Sequence, residues 1–230
     1  QKSDVTCKYG HELLSDENTL HGGLATHTII RENTPIVVIE KPLPHKLIAI
    51  INCSVATVAG AYRLAGSVEG KKILVSGAGM LGVVACAMGT TLGAQVFVSD
   101  IDTERVQTSL LFGAKPYAAS EKYDIVLEFS GANQAMESSM NQLQIGGTAV
   151  WVGATFSQEN LSISAEKLIR NLHTIKGLHN YNAVDLKHAV TFMETFAERF
   201  PFASLIHSGF GLEEVNDAFS FARQNKVYRT

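Results

Sequence analysis

The stretch ILVSGAGMLGVVACAM, residues 73–88, constrains the fold more than any other part of the sequence. It begins with a short apolar run of the kind that forms a buried strand. Three glycines follow in the spacing G-x-G-x-x-G, at Gly77, Gly79 and Gly82, and a second apolar run of helical length comes after them. The stretch therefore predicts a strand, a tight turn and a helix in direct succession.

The rest of the chain repeats this order of strand and helix. Apolar runs predict strands at 72–75, 95–99, 115–118, 124–129, 148–152 and 174–177. Helical patterns fall at about 53–64, 80–91, 103–111, 133–143, 164–171, 184–198 and 212–224. Such alternation implies an α/β fold in which helices cover a parallel sheet.

The two ends of the chain show a different pattern. Short β-rich runs at 25–30 and 36–39 are broken by glycines and prolines, which predicts antiparallel strands and turns. At the other end, residues 226–230 are expected to return to a sheet.

Composition favours a partner that is a small molecule. The net charge is −3, and lysines and arginines are scattered singly, so neither nucleic acid nor a membrane surface is an expected partner. No apolar run reaches the roughly 18 residues of a membrane helix. Three cysteines without close spacing indicate a reducing compartment, and the cytoplasm is the expected location.

The glycine spacing and its context predict a dinucleotide site. Gly77 permits the tight turn, Gly79 lets backbone N–H groups approach a pyrophosphate, and Gly82 lets the helix pack closely on the sheet. Asp100 ends the next strand, where a carboxylate can accept hydrogen bonds from the ribose hydroxyls. Because Asp100 would repel a 2′-phosphate, NAD is favoured over NADP, although Arg105 on the following helix weakens that preference.

Further motifs resemble those of the zinc-containing medium-chain dehydrogenases/reductases, the alcohol dehydrogenase superfamily. They are HGGLATH at 21–27, NCSVATVA at 52–59, GGTAVWVGA at 146–154 and the terminal Tyr-Arg-Thr. The spellings KYGHE and GAGMLG are closest to the subgroup associated with phosphonate catabolism. The resemblance extends over essentially the whole chain.

The resemblance implies a doubly wound Rossmann domain inserted in a partial, β-rich GroES-like catalytic domain. Residues 1–54 and 180–230 would belong to the catalytic domain, and residues 55–179 to the NAD-binding domain. The implied activity is zinc-assisted hydride transfer between NAD(H) and a small alcohol or carbonyl compound. Family members are homodimers or homotetramers, so association through the last Rossmann strand, near 174–178, is also expected.

Individual site residues follow from the same resemblance. Thr57 matches a catalytic-site threonine beside the nicotinamide, and Cys53 matches a ligand of the catalytic zinc. Trp151, the single tryptophan, is expected near the nicotinamide ring. The implied cofactor-binding residues are Gly77, Gly79, Met80, Leu81, Gly82, Asp100, Arg105, Ser130, Gly131, Val152, Gly153, Ala154 and Arg229.

Cys53 alone cannot form a catalytic zinc site, which takes three protein ligands and an open position. His11 and Glu12 are rejected as ligands because they lie too close to the HGGLATH motif in sequence. Ser3 and Cys7 fall nearest to the family's structural-zinc loop, and one thiol does not form that site. The chain is therefore interpreted as lacking the family's N-terminal part, with the other zinc ligands expected before Gln1.

Two other interpretations stay open. The chain could be an NAD(H)-binding module that performs no turnover by itself. It could instead resemble the metal-free quinone and enoyl reductases, which use NADPH, although Cys53 and Asp100 argue against that interpretation.

Overall fold

A computed structural model of the chain describes residues 21–230. Packing divides these residues into two units. The sheet unit comprises Val37–His207 and Val227–Arg229, and the small unit comprises 21–36, Ser208–Lys226 and Thr230.

The sheet unit begins with a helical segment. It consists of α1 (His45–Ile48), a π-helical turn (Ile51–Val55) and α2 (Ala56–Ala65). Its length and composition would suit a membrane span, which corrects the expectation that no stretch is long and apolar enough. Polar residues at 52–54 interrupt the apolar run in the sequence, but the helical segment continues past them. Of its most apolar window, 67% is buried inside the protein, as is typical of a core helix.

Alternating strands and helices make up the rest of the sheet unit. A short 3₁₀ helix, Phe202–Leu205, follows the last of them. The elements are β1 (Lys72–Ser76), α3 (Met80–Thr91), β2 (Gln95–Ser99), α4 (Thr103–Leu110), β3 (Lys115–Pro116), β4 (Tyr123–Glu128), α5 (Asn133–Gln142), β5 (Leu143–Trp151), α6 (Ala165–Arg170), β6 (Thr174–Gly177) and α7 (Ala183–Phe196).

The six strands form one parallel sheet in the order β3-β2-β1-β4-β5-β6. Apolar residues cover both of its faces, with α2 and α3 packed on one face and α5 on the other. α7 packs against α2 and the π-helical turn. The strand order reverses between β1 and β4, and ligands of doubly wound sheets bind at such a switch point. The predicted Rossmann-like α/β fold is therefore confirmed.

Strand register aligns the carboxyl ends of four neighbouring strands at one edge of the sheet. Ser76 at the end of β1 is paired with Ser99 of β2 and with Glu128 of β4. Glu128 is in turn paired with Trp151 at the end of β5. The loops that follow β1, β2, β4 and β5 therefore emerge side by side.

Most predicted elements match closely, and β2 and β6 match residue for residue. β5 begins at Leu143, before the predicted residue 148, because Leu143 already pairs with Tyr123 across an irregular register. Gly146, with a φ of +79°, lies within this irregular part and makes it look like a turn in the sequence.

The β-rich runs at the two ends do not form the predicted strands within the described residues. No strand lies between residues 21 and 44, and many of the apolar side chains there are exposed, including Ile29, Ile30 and Ile36. At the other end, Arg229 makes only an isolated parallel bridge to Ile206. A strand needs a neighbouring strand for its backbone hydrogen bonds, so strand propensity alone does not create a sheet.

The small unit contains a 3₁₀ turn, Leu212–Glu214, that leads into α8, Val215–Gln224. The Gly211 amide donates to the Glu214 carboxylate at 2.7 Å, which stabilises the start of this helical stretch. The rings of Phe210 and Phe221 lie 5.7 Å apart. The predicted division into domains at residues 54 and 179 stays a prediction.

Candidate cofactor site

Two glycines of the turn after β1 leave no room for a side chain. Gly77 has a φ of +92°, and a Cβ atom there would lie 2.7 Å from the backbone nitrogen of Ser130. A Cβ atom on Gly82 would lie 1.9 Å from the carbonyl oxygen of Gly77. These two glycines therefore hold the turn, α3 and the loop after β4 in close contact.

Gly79 differs from them because the space beside it is open. A Cβ atom there would meet only the Nη1 atom of Arg105, at 3.6 Å. Gly79 is also the N-cap residue of α3, directly before Met80, and no described side chain caps that helix. The first turn, which includes Met80 and Leu81, therefore presents backbone N–H groups without intrahelical partners, as in helix N-termini that bind anions.

Asp100 lies directly beside this turn. Its Oδ2 atom accepts a hydrogen bond from the Ala78 amide at 2.6 Å, and its Oδ1 atom accepts one from the Asp102 amide at 2.9 Å. Ile101, the next residue, is fully exposed. Sequence reasoning missed Ile101, and its only sequence signal is a large apolar residue immediately after the strand-ending aspartate.

Arg105 brings a cation to the same turn. It stands in the first turn of α4, with its guanidinium 3.9 Å from the Asp102 carboxylate and 5.2 Å from the centroid of the Tyr228 ring. Tyr228 is a second residue that sequence reasoning missed, since only its position before Arg229 could have indicated it.

The loops after β4 and β5 touch each other. A Cβ atom on Gly131 would lie 2.5 Å from the carbonyl oxygen of Gly153, and one on Gly153 would lie 2.2 Å from the Gly131 amide nitrogen. Val152 is buried, whereas Ser130 and Ala154 are exposed at the edge of the sheet. The predicted residues of both loops therefore lie together.

Beneath these loops lies a buried carboxyl group that the sequence analysis did not identify. Glu128 is the last residue of β4 and has no exposed surface. Burial raises the pKa of this carboxyl above its ordinary value, although hydrogen bonds from Ser130, Gly131 and Gly153 oppose the shift. In the sequence, Glu128 has the appearance of an ordinary polar residue at a strand end.

A second group of predicted residues lies on and around the π-helical turn. Cys53 is exposed, and Thr57 is mostly buried in the first turn of α2. Arg229 donates from Nη2 to the Ser54 hydroxyl at 3.1 Å. Because this turn packs against α3, the helix that Gly79 begins, it belongs to the same region of the sheet unit.

The part of the chain that the structure describes does not complete a zinc site. Within residues 21–230, no three His, Cys, Asp or Glu side chains are placed to share a metal ion. Cys53 is thus one donor where a catalytic zinc takes three. Ser3, Cys7, His11 and Glu12 lie outside the described residues.

Comparison with known sequences identifies relatives of known class. The sequence model described as "Zinc-binding dehydrogenase" matches residues 81–195, half of the chain. The L-threonine 3-dehydrogenase of Pseudoalteromonas translucida is 27% identical over 162 residues, which cover 64% of this chain and 43% of that protein. The probable formaldehyde dehydrogenase AdhA of Bacillus subtilis is 25% identical over 172 residues, covering 70% and 48%. The chain spans about half the length of the curated relatives it matches.

Solved structures give the same answer for the fold. The alcohol dehydrogenase of Thermotoga maritima superposes with a TM-score of 0.84 at 21% identity, covering 93% of this chain and 64% of that one. Three observations indicate the same family: the fold, the glycine turn with Asp100 beside it, and the sequence match over half of the chain. The chain belongs to the zinc-binding dehydrogenases, the zinc-type medium-chain dehydrogenase/reductase family.

Proposed function

We propose that the protein is an oxidoreductase that transfers hydride between NAD(H) and a small alcohol or carbonyl substrate. One observation carries this proposal. At the turn after β1, the uncapped start of α3 opens onto free space at Gly79, and the Asp100 carboxylate lies 2.6 Å from the neighbouring Ala78 amide.

The open side of Gly79 suits a pyrophosphate. Helix N-termini carry a partial positive charge and free N–H groups, both of which favour an anion. Arg105 lies close enough to Gly79 to add a full positive charge, and we assign Arg229 a supporting contact to the same anion.

The Asp100 carboxylate suits an unphosphorylated ribose. It would accept hydrogen bonds from two ribose hydroxyls, and its negative charge would repel a 2′-phosphate at the same place. The exposed side chain of Ile101 would supply an apolar surface for the adenine ring. These features favour NAD(H) over NADP(H).

The nicotinamide half belongs, in this proposal, at the loop after β5. Backbone groups of Val152, Gly153 and Ala154 would hold the carboxamide, and Thr57 would stand beside the ring. Their role is to fix which face of the ring is presented to the substrate, because hydride transfer depends on that geometry.

Zinc would supply Lewis-acid polarisation of the substrate oxygen. Cys53 is the one described residue that we assign to it, and the described residues do not form a complete site. The predicted assembly through β6 and membership of the phosphonate-associated subgroup stay predictions.

Binding without turnover by this chain is the second candidate. The observation that favours it is the incomplete set of zinc donors among residues 21–230. Oxidation of simple alcohols by the chain in the presence of NAD⁺ and Zn²⁺ would contradict this candidate, whereas NADH binding without such turnover would support it.

Substituting Asp100 tests the proposed cofactor directly. We expect Asp100→Ala to weaken NADH binding about tenfold, the effect of losing hydrogen bonds to one charged group, and to narrow the preference over NADPH. Isothermal titration calorimetry with each cofactor measures both changes.

Asp124 provides a matched control at the opposite edge of the sheet. Its carboxylate accepts from the Lys72 amide at 2.8 Å, much as Asp100 accepts from Ala78. Asp124→Ala should leave both affinities unchanged. Equal affinities in the Asp100→Ala and native proteins would remove Asp100 from the proposed role.

A further inference from the structure

Glu128 is an unusual residue to find at the end of a central strand. Its side chain is completely buried, and its neighbours in register are Ser76 on one side and Trp151 on the other. It therefore lies at the switch point of the sheet, directly below the loops assigned to the cofactor. The proposed chemistry of hydride transfer gives it no part.

The carboxyl group collects hydrogen bonds from the loop after β4. Its Oε1 atom accepts from the Ser130 amide at 2.8 Å, from the Gly131 amide at 3.0 Å and from the Ser130 hydroxyl. Its Oε2 atom lies 3.2 Å from the same Gly131 amide. The Gly153 amide, from the loop after β5, donates to the backbone carbonyl oxygen of Glu128 at 3.1 Å.

These contacts make Glu128 the common anchor of two loops: its carboxyl binds the loop after β4, and its backbone carbonyl binds the loop after β5. Ser130 lies against Gly77, at the glycine turn, and Gly131 lies against Gly153. The Ser130 hydroxyl also accepts from the Ala132 amide at 3.2 Å, at the start of α5. A shift of the Glu128 carboxyl would therefore move both loops that line the proposed cofactor site.

An apolar side chain could fill the same space, so burial alone does not explain a carboxyl here. Burial of a charge is unfavourable unless hydrogen bonds compensate it. In return, the amides of Ser130 and Gly131 gain an acceptor that fixes their direction. Compared with an apolar side chain, the carboxyl fixes the geometry of the loops, because a buried and fully hydrogen-bonded polar group specifies one arrangement of its partners.

We propose that Glu128 is a positioning residue, whose carboxylate holds the loop at Ser130 and Gly131 against Gly153 in the arrangement that receives the nicotinamide half of the cofactor. This inference rests on the proposed function. Glu128 acts through the two loops and does not touch the cofactor.

The test compares two ligands in native and Glu128→Gln proteins. Glutamine has the same shape and can keep its carbonyl oxygen at the Oε1 position, but it removes the negative charge and brings an N–H group to the Oε2 position, 3.2 Å from the Gly131 amide nitrogen. We expect NADH affinity to fall about tenfold, as for the loss of one charged hydrogen bond. Affinity for ADP-ribose, which lacks the nicotinamide, should change by less than about threefold, because Asp100 and Gly79 would still hold the adenosine and pyrophosphate.

Asp185→Asn is the matched control. Asp185 is equally buried, and its partners are Arg63 and Asn182, which belong to neither loop. If Glu128 only stabilises the fold, both variants should lower the melting temperature and leave the ratio of the NADH and ADP-ribose affinities at its native value. That result would overturn the positioning role.

A milder variant keeps the test usable if Glu128→Gln does not fold. Ser130→Ala removes the hydroxyl that donates to Glu128 and accepts from the Ala132 amide, but it keeps the Glu128 carboxylate. It should weaken NADH binding about threefold more than ADP-ribose binding, a change within the range of one neutral hydrogen bond. An unchanged ratio in Ser130→Ala would also overturn the role. If the native protein binds neither ligand, the proposed function itself fails, and this outcome differs from native binding that Glu128→Gln leaves intact.

Discussion

At the scale of single residues, Gly79 and Gly82 serve different purposes: we assign Gly79 to cofactor binding and Gly82 to the packing of the fold. They stand three positions apart in the same turn, yet a methyl group would meet open space at Gly79 and the Gly77 carbonyl oxygen at Gly82. The same substitution should therefore have opposite consequences at the two positions.

We predict that Gly79→Ala leaves stability within about 0.5 kcal/mol of the native value, because alanine fits there without strain. NADH affinity should fall about tenfold or more, since the methyl group would occupy the space assigned to the pyrophosphate. Gly82→Ala should lower the free energy of unfolding by roughly 1–3 kcal/mol or more through overpacking. Urea unfolding and calorimetric titration measure the two effects.

Each of the two glycine substitutions has an outcome that would contradict its prediction. If Gly79→Ala binds NADH as tightly as the native protein while folding normally, the pyrophosphate does not lie at this helix start. A stable Gly82→Ala protein would show that the turn can relax away from the close contact.

Residues with a fixed spacing could be predicted from the sequence, whereas residues defined by burial could not. The three glycines and Asp100 form a local pattern, because one strand, one turn and one helix determine it. Glu128 is a buried, hydrogen-bonded carboxyl only because Ser130, Gly131 and Gly153 surround it, and Gly153 is distant in sequence. Ile101 and Tyr228 likewise acquire meaning only through their surroundings in the fold.

At the scale of elements, α2 and α7 are joined by an ion pair whose carboxylate is buried and whose guanidinium is partly exposed. Arg63 donates to both oxygens of Asp185, at 2.7 and 3.0 Å, and Asp185 also accepts from the Asn182 amide at the start of α7. Burial alone would raise the pKa of Asp185, but the bonds from Arg63 and Asn182 outweigh it, so the pKa lies below its ordinary value of 3.8.

The lowered pKa sets the direction of a pH dependence. A carboxyl with a lowered folded-state pKa contributes stability above its unfolded pKa and loses it as the pH falls through the folded value. We predict that Asp185→Asn costs roughly 1–2 kcal/mol at pH 7, a discounted figure because Arg63 is 37% exposed and can rehydrate. Urea unfolding at pH 7 and below pH 3.8 should show this difference shrinking with acid, and a constant difference would contradict the ion pair's role.

Some elements, like some residues, could be predicted from the local sequence, whereas others depend on contacts with distant parts of the chain. The central strands were predictable because each is buried on both faces and reads as a short apolar run. The prediction of strands at 25–30 and 36–39 was wrong, because no described segment pairs with either of them. The early start of β5 depends on the pairing of Leu143 with Tyr123, which no local pattern reveals.

At the scale of the whole molecule, strand order determines where the chemistry lies. The order β3-β2-β1-β4-β5-β6 places the ends of β1 and β4 side by side at the point of reversal. Gly77, Asp100, Ser130 and Gly153 come from four different loops, and this topology alone brings them to one edge. The alternation of strands and helices predicted the fold class, and the switch point then followed from the strand order.

We propose that this edge of the sheet binds NAD(H) in preference to NADP(H). Trp151 ends β5 and precedes Val152, so its fluorescence should report a nicotinamide bound at that loop. The most direct measurement is a titration of the native chain with NADH and, separately, with NADPH, following Trp151 quenching and sensitised nicotinamide emission. We predict saturable energy transfer with NADH and binding at least about tenfold tighter than that of NADPH, because one phosphate would be repelled. Tighter binding of NADPH, or no saturable signal with either cofactor, would contradict the proposal.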